Sequence, residues 1–599
     1  MKSLAQIQKN LAKILKAEKG LNFIAVLSKK FPQAKIYLVG GMARDLFLGR
    51  ESKDYDFVIG GVPAKKLETI LKKLGATNLV GKRFGVFKFA PKNSALTLDI
   101  ALPRTEHAWG TGGYRDVETQ SDWRLPIEKD LARRDFTINA MALELGIRNK
   151  ELGIMDLTDP FDGLSDLKKK LIRTVGKPEE RFNEDFSRML RGLRFASQLN
   201  FQIEKNTWDT LVKMMKKINA TLCHSRPRSV IPANAGIQSR AGSRGNPAAG
   251  SRIKCGMTTS ERIVPYEVIS KEFLKSLVIN PLKTVDLWDE AGALKQLMPE
   301  LLKMQGCPQP PEFHKEGDVW THTYLALGNL TTPGFTPYNP KKNNLQSKNK
   351  KIPITSLIEK MQSLGGGYAG FKKFVRSLPP SFQNEPLISP TLVLAGLFHD
   401  LGKPYTIKTP EKDGVDRIRT NEHDSVGAKL AKQIGERLRL SSVPDMHCNL
   451  DHLAWLIQHH LLTVHGDPMK FTNRTIEKYF FNPLVPGTDL LKLIYCDQMA
   501  SFVGGKPQLG SLPRLVKRIK MLLGGLRQTK HLPTGKAGHA YRQAGLPPPL
   551  LDGREIMMVL KLKPGRLVGD LKDRLREAQL AGKVKNKKQA KDFLIKIHS

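Results

Sequence analysis

The chain has 599 residues, with 97 lysines and arginines against 57 aspartates and glutamates, for a net charge of +40. That length exceeds what one core organises, so three or four domains are expected. The basic excess points to a polyanion, leaving nucleic acid and a membrane surface both open. Five cysteines (Cys223, Cys255, Cys307, Cys448 and Cys496) are scattered, without Cys-x-x-Cys spacing, which argues against a disulfide framework or structural zinc. No run approaches a membrane span, and the polar N-terminus lacks a signal-type apolar core, so a cytoplasmic protein is expected.

In chain order, Ile36 to Val39 is an apolar run that reads as a buried strand and ends in Gly40-Gly41. Glycine lets the backbone turn tightly and approach a ligand, and the free N–H groups of the helix that follows make an anion site. A second strand-like run carries Asp54 and Asp56, which period-2 geometry places on one face. Two hard oxygen ligands facing a phosphate cradle suit Mg²⁺, and two such ions could activate a hydroxyl and stabilise a leaving pyrophosphate. The stretch resembles the first motif of the nucleotidyltransferase superfamily, in the branch holding bacterial tRNA CCA-adding enzymes and poly(A) polymerases. That resemblance implies that Gly40, Gly41 and Arg44 contact a triphosphate.

The resemblance continues along the chain. In Val80 to Phe89, the Gly81-Lys82-Arg83-Phe84 part resembles poly(A) polymerases and Phe84-Gly85-Val86-Phe87-Lys88 resembles CCA enzymes, with Lys88 and Phe89 departing from the polymerase pattern. Asp99 lies on a further alternating strand and is the expected third acidic residue. His107 to Leu125, rich in Gly and polar residues, reads as a flexible loop. The run Arg133 to Ala140 resembles the second motif, implying ribose recognition by Arg134, Asp135 and Asn139. Asp156 to Arg173 resembles the family hinge. Glu184 to Arg191 resembles the nucleobase motif, implying nucleotide contacts for Asp185, Arg188 and Arg191. Asp185 and Arg188, three apart, are expected to share a helix face and to select the base.

The remainder reads as helical. Residues 222–257 contain no acidic residue and resemble a translated dispersed DNA repeat, so a disordered surface loop is expected. Residues 331–387, rich in Pro, Asn and Lys, read as a second long insertion between helices, partly disordered. Nine of the 14 histidines fall between 314 and 465. The order His322, His399-Asp400, Asp497 resembles the HD phosphohydrolase domain, which implies metal ligation by these four, with His423 and His460 as further ligands. Imidazoles with carboxylates suit Mn²⁺ or Ni²⁺ better than Mg²⁺. Residues 505–599 hold 22 lysines and arginines against six acidic residues. The C-terminal segments Pro549 to Glu555, Leu562 to Gly565 and Arg576 to Gly582 resemble the tail of the larger bacterial CCA enzymes, with Lys561 standing where Gly is expected.

The fold expected is α+β: a small mixed α/β nucleotidyltransferase head (1–175), then an all-helical neck (176–300), an HD domain (301–505) and a basic tRNA-binding tail (506–599). The reaction expected is template-independent addition of CCA to tRNA from CTP and ATP, with Asp54, Asp56 and Asp99 catalytic and Mg²⁺ as cofactor. The alternatives are a poly(A) polymerase of the same family, or HD phosphoester hydrolysis as the main activity. No membrane and no stable protein partner is implied.

Overall fold

The apolar run Ile36 to Val39, buried at every position, builds the centre of a seven-stranded sheet. In the computed structural model the described residues are 1–598, except 53, 81–84, 109, 114–116, 149–150, 223–260, 332–353, 465, 504–505, 508 and 527–545. The strands are β1 (Lys35–Val39), β2 (Asp56–Gly60), β3 (Gly75–Val80), β4 (Val86–Pro91), β5 (Leu98–Ala101), β8 (Ala142–Arg148) and β9 (Glu151–Thr158). Their order across the sheet is β3-β4-β5-β2-β1-β8-β9. Only the β2–β5 pair is parallel, and it sets Asp56 directly beside Asp99.

Both faces of the sheet are covered, as the period-2 pattern requires. On one face Tyr37, Val39, Val58 and Ala142 pack with Ile127, Leu131, Ala140 and Val175. On the other, Phe57 and Phe89 meet the ring of Phe23 edge-on, at centroid distances of 5.2 and 5.7 Å. The helix Leu4–Ala17 starts with a capping box in which Ser3 and Gln6 satisfy each other's backbone N–H groups.

His107 to Leu125 departs from the loop expected. A two-stranded hairpin, β6 (Arg104–Ala108) with β7 (Val117–Ser121), is registered from Arg104 opposite Ser121 to Ala108 opposite Val117. Thr105, Val117 and Thr119 favour the pleat, and ladder pairing outweighs the polar composition. The second strand-like run is also shorter than expected. It begins at Asp56, so Asp54 precedes the ladder, although buried Tyr55 between two exposed aspartates keeps the alternation.

The chain divides into two compact units, 1–163 with 174–188 and 213–265, and 164–173 with 189–212 and 266–599. Apart from two-residue ladders, the second is helical. Among its elements, Val319–Gly328 and Pro390–Phe398 are buried along almost their whole length, as expected of helices that are apolar all round. Of the second expected insertion, 332–353 lie outside the described residues; in the remainder Ile354–Ser363 and Gly367–Ser377 are helices, and Phe371 and Met361 are fully buried. Residues 223–257 of the first expected insertion, with Cys223 and Cys255, lie outside the described residues, as do Gly81 to Phe84. The other three cysteines are free thiols.

Candidate functional site

The first site is assembled at the end of β1 and β2. Gly40 opens the helix Gly40–Leu48 with φ +71°, and a Cβ there would stand 3.1 Å from Asp56 Oδ2 and 3.4 Å from Arg134 Nη1. Only glycine meets both demands, a left-handed backbone and close approach to the acidic cluster. Desolvation by the surrounding protein raises the Asp56 carboxyl to about 6; Arg134 opposes this, and the Asp99 and Asp54 charges add to it. Lys88 Nζ lies 3.8 Å from Asp99 Oδ1.

Arg44 projects from the same helix and donates from Nη1 to Asn139 Oδ1 at 2.8 Å, while its Nε reaches Asp45 Oδ1 at 2.9 Å. Arg134 donates to the Asn139 carbonyl at 3.2 Å and to Asp130 Oδ2 at 3.2 Å. Asp135 accepts the N–H of Phe136 at 2.9 Å. Residues 40, 44, 56, 134 and 139 are thus brought together.

Asp185 and Arg188 do not share a helix face. Asp185 is extended (φ −156°, ψ 106°) between the helices Pro178–Glu184 and Ser187–Leu199, and its carboxylate accepts the Ser187 N–H at 2.8 Å. Aspartate competes well for such free N–H groups at a helix start, which breaks the helix that i,i+3 spacing suggested. Arg188 pairs with Glu184 and donates to the Arg181 carbonyl at 3.2 Å. Arg191 lies on the second of these helices, its guanidinium 5.7 Å from the Phe195 ring centroid. Phe186 N–H donates to the Gly112 carbonyl at 2.9 Å.

The second site gathers the histidines. His322 sits in Val319–Gly328, His399-Asp400 closes Pro390–Phe398, His423 opens His423–Arg437, His460 follows Leu450–His459, and Asp497 lies in Gly487–Ala500. Asp400 is the hub. Its Oδ2 lies 3.4 Å from His399 Nε2 and 3.7 Å from His322 Nε2, and its Oδ1 lies 3.4 Å from His423 Nε2 and 3.8 Å from His460 Nε2. Asp497 Oδ1 is 2.9 Å from His322 Nε2 and 3.7 Å from His399 Nε2. Burial pushes the His460 imidazole down to about 4, helped by His399 and His423. Burial also lowers His399. Against its own burial, Asp400 is held well below the carboxylate range by Lys403 and His399.

Family models match two parts of the chain: residues 36–173 match the poly A polymerase head domain, and residues 385–482 match the HD domain. It is 31% identical over 296 residues to the multifunctional CCA protein of Alkalilimnicola ehrlichii, covering 49% of this chain and 57% of that protein. It is 31% identical over 300 residues to that of Neisseria meningitidis serogroup C, covering 50% and 57%. The chain therefore spans little more than half the length of the curated relatives it matches. Among solved structures, a CCA-adding enzyme with ATP shows a TM-score of 0.47 at 18% identity over 98% of this chain and 97% of that one. A Thermotoga maritima CCA-adding enzyme complexed with tRNA shows a TM-score of 0.47 at 18% identity over 99% of each chain. Among the described residues, no helix is long and apolar enough to cross a membrane.

The HD domain's donors fit a metal ion. His399 Nδ1 is 3.0 Å from the Gly396 carbonyl, His423 Nδ1 is 2.7 Å from that of Thr420, and His460 Nδ1 is 2.6 Å from that of Ile457. Each carbonyl can accept only an N–H, which fixes the tautomer with Nε2 unprotonated and turned toward Asp400. His399 Nε2 and His423 Nε2 are buried without a hydrogen-bond partner, a costly arrangement that a cation would relieve. Oxygen and nitrogen donors from His322, His399 and Asp400, and from Asp400, His423 and His460, lie close enough to share ions. In the head, Asp56 and Asp99 sit side by side on paired strands, two oxygen donors of the kind that suit a hard divalent cation.

Two residues of the HD centre escaped the sequence reading. Glu316 accepts from the His314 Nδ1 side at 2.7 Å, from His322 Nδ1 at 2.9 Å and from the Phe502 N–H at 2.8 Å. Burial opposes its charge, but the His314 and His322 bonds hold its carboxyl at about 2. Lys403 Nζ lies 2.7 Å from Asp400 Oδ2 and donates to Gln309 Oε1 at 2.7 Å. Glu316 lies in an irregular segment, so no periodicity marks it.

Proposed function

We propose that this chain adds C, C and A to the 3′ end of tRNA without a nucleic-acid template, using CTP and ATP. The observation that carries this reading is the placement of Asp56 beside Asp99 on the parallel strand pair, against the left-handed Gly40 turn. The names of the curated relatives support it. In this reading Asp54, Asp56 and Asp99 hold Mg²⁺, which when bound lowers the pKa of the attacking 3′-hydroxyl and neutralises the departing pyrophosphate. Gly40 and Gly41 leave room for the triphosphate, and Arg44 orients it. Arg134, Asp135 and Asn139 set the ribose. Asp185, Arg188 and Arg191 choose the base, with Asp185 and Arg188 acting from the helix junction rather than from one helix face. The bond formed joins the tRNA 3′ oxygen to the α-phosphorus, and the bond broken releases pyrophosphate. Residues 1–175 form the catalytic head, 176–300 the neck, 301–505 the HD region and 506–599 a basic tail that grips tRNA backbone by shape.

The deciding experiment supplies tRNA ending at its discriminator base with CTP, ATP and Mg²⁺ and resolves the products on a sequencing gel. Growth by three nucleotides followed by a stop is expected. A ladder of A residues would make the chain a poly(A) polymerase.

A second activity is favoured by the buried, unpartnered His399 Nε2. In this reading His322, His399, Asp400, His423, His460 and Asp497 hold a transition metal such as Mn²⁺ or Ni²⁺ and the HD domain hydrolyses a phosphoester: water adds at phosphorus, one P–O bond breaks and the leaving oxygen takes the proton. Release of 2′-AMP or 3′-AMP from adenosine 2′,3′-cyclic phosphate that survives Asp54→Ala but not Asp400→Ala tests it.

A further inference from the structure

A cleft of about 330 Å³ is lined by Pro310, Phe313, Arg417, Ile418, Thr420 and Asn421, together with Arg419. This lies at the lower end of the size range of ligand pockets. Both of its walls lead to the HD centre. Thr420, one of the lining residues, fixes His423 through its carbonyl, 2.7 Å from Nδ1. Pro310 follows Gln309, whose side chain holds Lys403 against Asp400. Phe313 precedes His314, which bonds to Glu316.

The chemistry of the lining is unusual for a surface. Phe313 is 50% exposed, whereas Trp320 and Tyr324, on the helix that carries His322, are buried. The Arg417 guanidinium stands 6.0 Å from the Phe313 ring centroid. Among the described residues it has no carboxylate partner, whereas neighbouring Arg419 is committed to Asp416, its Nε donating at 3.0 Å. The exposed Asn421 amide adds one donor group and one acceptor. A half-exposed aromatic ring, a guanidinium with no carboxylate partner and an amide form a stacking platform for a nucleobase with edge recognition.

We propose that this cleft binds the base of a nucleotide whose phosphoester lies at the HD centre. Phe313 stacks on the base, Arg417 covers it and Asn421 meets its edge. The position of the phosphate rests on the hydrolytic reading above; the base site does not.

The test therefore has two independent arms, both on the full chain with Mn²⁺. In the first, 8-azidoadenosine 2′-monophosphate is photolysed with the protein and the adducts are mapped by mass spectrometry. Labelling is expected at 310–313 or 417–421, retained in Phe313→Tyr and lost in Phe313→Ala and Arg417→Ala. Labelling confined to residues 36–188 overturns the proposal, whatever the hydrolytic activity. In the second arm, Phe313→Ala is expected to raise KM for adenosine 2′,3′-cyclic phosphate roughly tenfold, the effect of losing one stacked base. Hydrolysis of glycerol 2-phosphate, which has no base, is expected to stay unchanged. Equal effects on both substrates, or on neither, overturn the base site while leaving the hydrolytic reading standing. Labelling in the cleft without hydrolysis of either substrate sinks the hydrolytic reading alone.

Discussion

Arg44 and Asn139, 95 positions apart in sequence, meet through a buried 2.8 Å hydrogen bond from Nη1 to Oδ1. The bond ties the helix that follows the Gly40 turn to the segment carrying Arg134 and Asp135, so the groups proposed for the triphosphate and for the ribose form one rigid constellation. Asn139→Ala leaves a buried guanidinium short of one acceptor, and should cost about 1–3 kcal/mol of stability. Differential scanning calorimetry should show the loss, and KM for ATP should rise with it. A variant of unchanged stability and KM would show the link to be incidental.

Loss of the acidic pair should separate chemistry from binding. Asp54→Ala with Asp56→Ala should abolish nucleotide incorporation, while filter binding of tRNA changes less than about twofold, since phosphate contacts elsewhere dominate affinity. Normal turnover in this double variant would remove the head from the reaction.

Glu316 orients His322 from outside the ligand set. Glu316→Gln keeps the shape but weakens the acceptor, and Glu316→Ala removes it. Support of this kind is worth roughly 10–100-fold in metal affinity, so equilibrium dialysis against Mn²⁺ should show weakened binding in the order Ala, then Gln, then the parent chain. Unchanged affinity would reduce Glu316 to a packing role.

Lys283 supplies a pH test remote from both sites. It is buried and donates to Asn200 Oδ1 at 3.0 Å and to the Phe201 carbonyl at 2.8 Å. Burial lowers its pKa to about 8, partly opposed by Asp286. An amine with a folded pKa below its unfolded value of about 10.4 binds its proton more weakly in the native state. Its charge therefore opposes folding below pH 8, and the penalty is lost as pH rises from about 8 to about 10.4. The Tm of the parent chain relative to Lys283→Met should climb across that window. A flat difference would mean that the ammonium is fully compensated.

Lys561 closes the helix Gly553–Leu560 with φ +54°. The resemblance to the tail of the larger CCA enzymes implied glycine here, and the left-handed backbone is the physical reason. Lys561→Gly should relieve about 1 kcal/mol and slow hydrogen exchange at the Leu562 amide, which donates to the Met557 carbonyl at 3.1 Å. Faster exchange would mean that glycine's unfolded-state entropy outweighs the strain.

What could be read from sequence follows from what periodicity encodes. β1, β2 and the all-apolar helix before His399 were legible because burial on one face, or on all faces, leaves a pattern in adjacent residues. The cluster around Asp400 was legible as histidines and aspartates in a characteristic order. The hairpin Arg104–Ser121 was not, because polar β-pairing carries little hydrophobic signal. Asp185 was misread because spacing of three is necessary for a shared helix face but does not establish that a helix runs through both residues. Glu316 and Lys403 were missed because their role arises from long-range folding onto His322 and Asp400.

One small feature bears on how this chain would tolerate an insertion. Thr221 pairs with Arg262 and Leu222 with Glu261 in a two-residue antiparallel ladder, and the Arg262 side chain donates to the Ile218 carbonyl at 2.8 Å and to Asn219 at 3.0 Å. The strands leaving and re-entering the fold are thus clasped side by side. Whatever is spliced between them enters and exits at one point, and doubling its length adds only about 0.6 kcal/mol of closure entropy. The clasp makes this position a natural port for genetic cargo, where a mobile repeat could settle without being selected against and where a reporter domain could be grafted at little cost to the rest of the molecule.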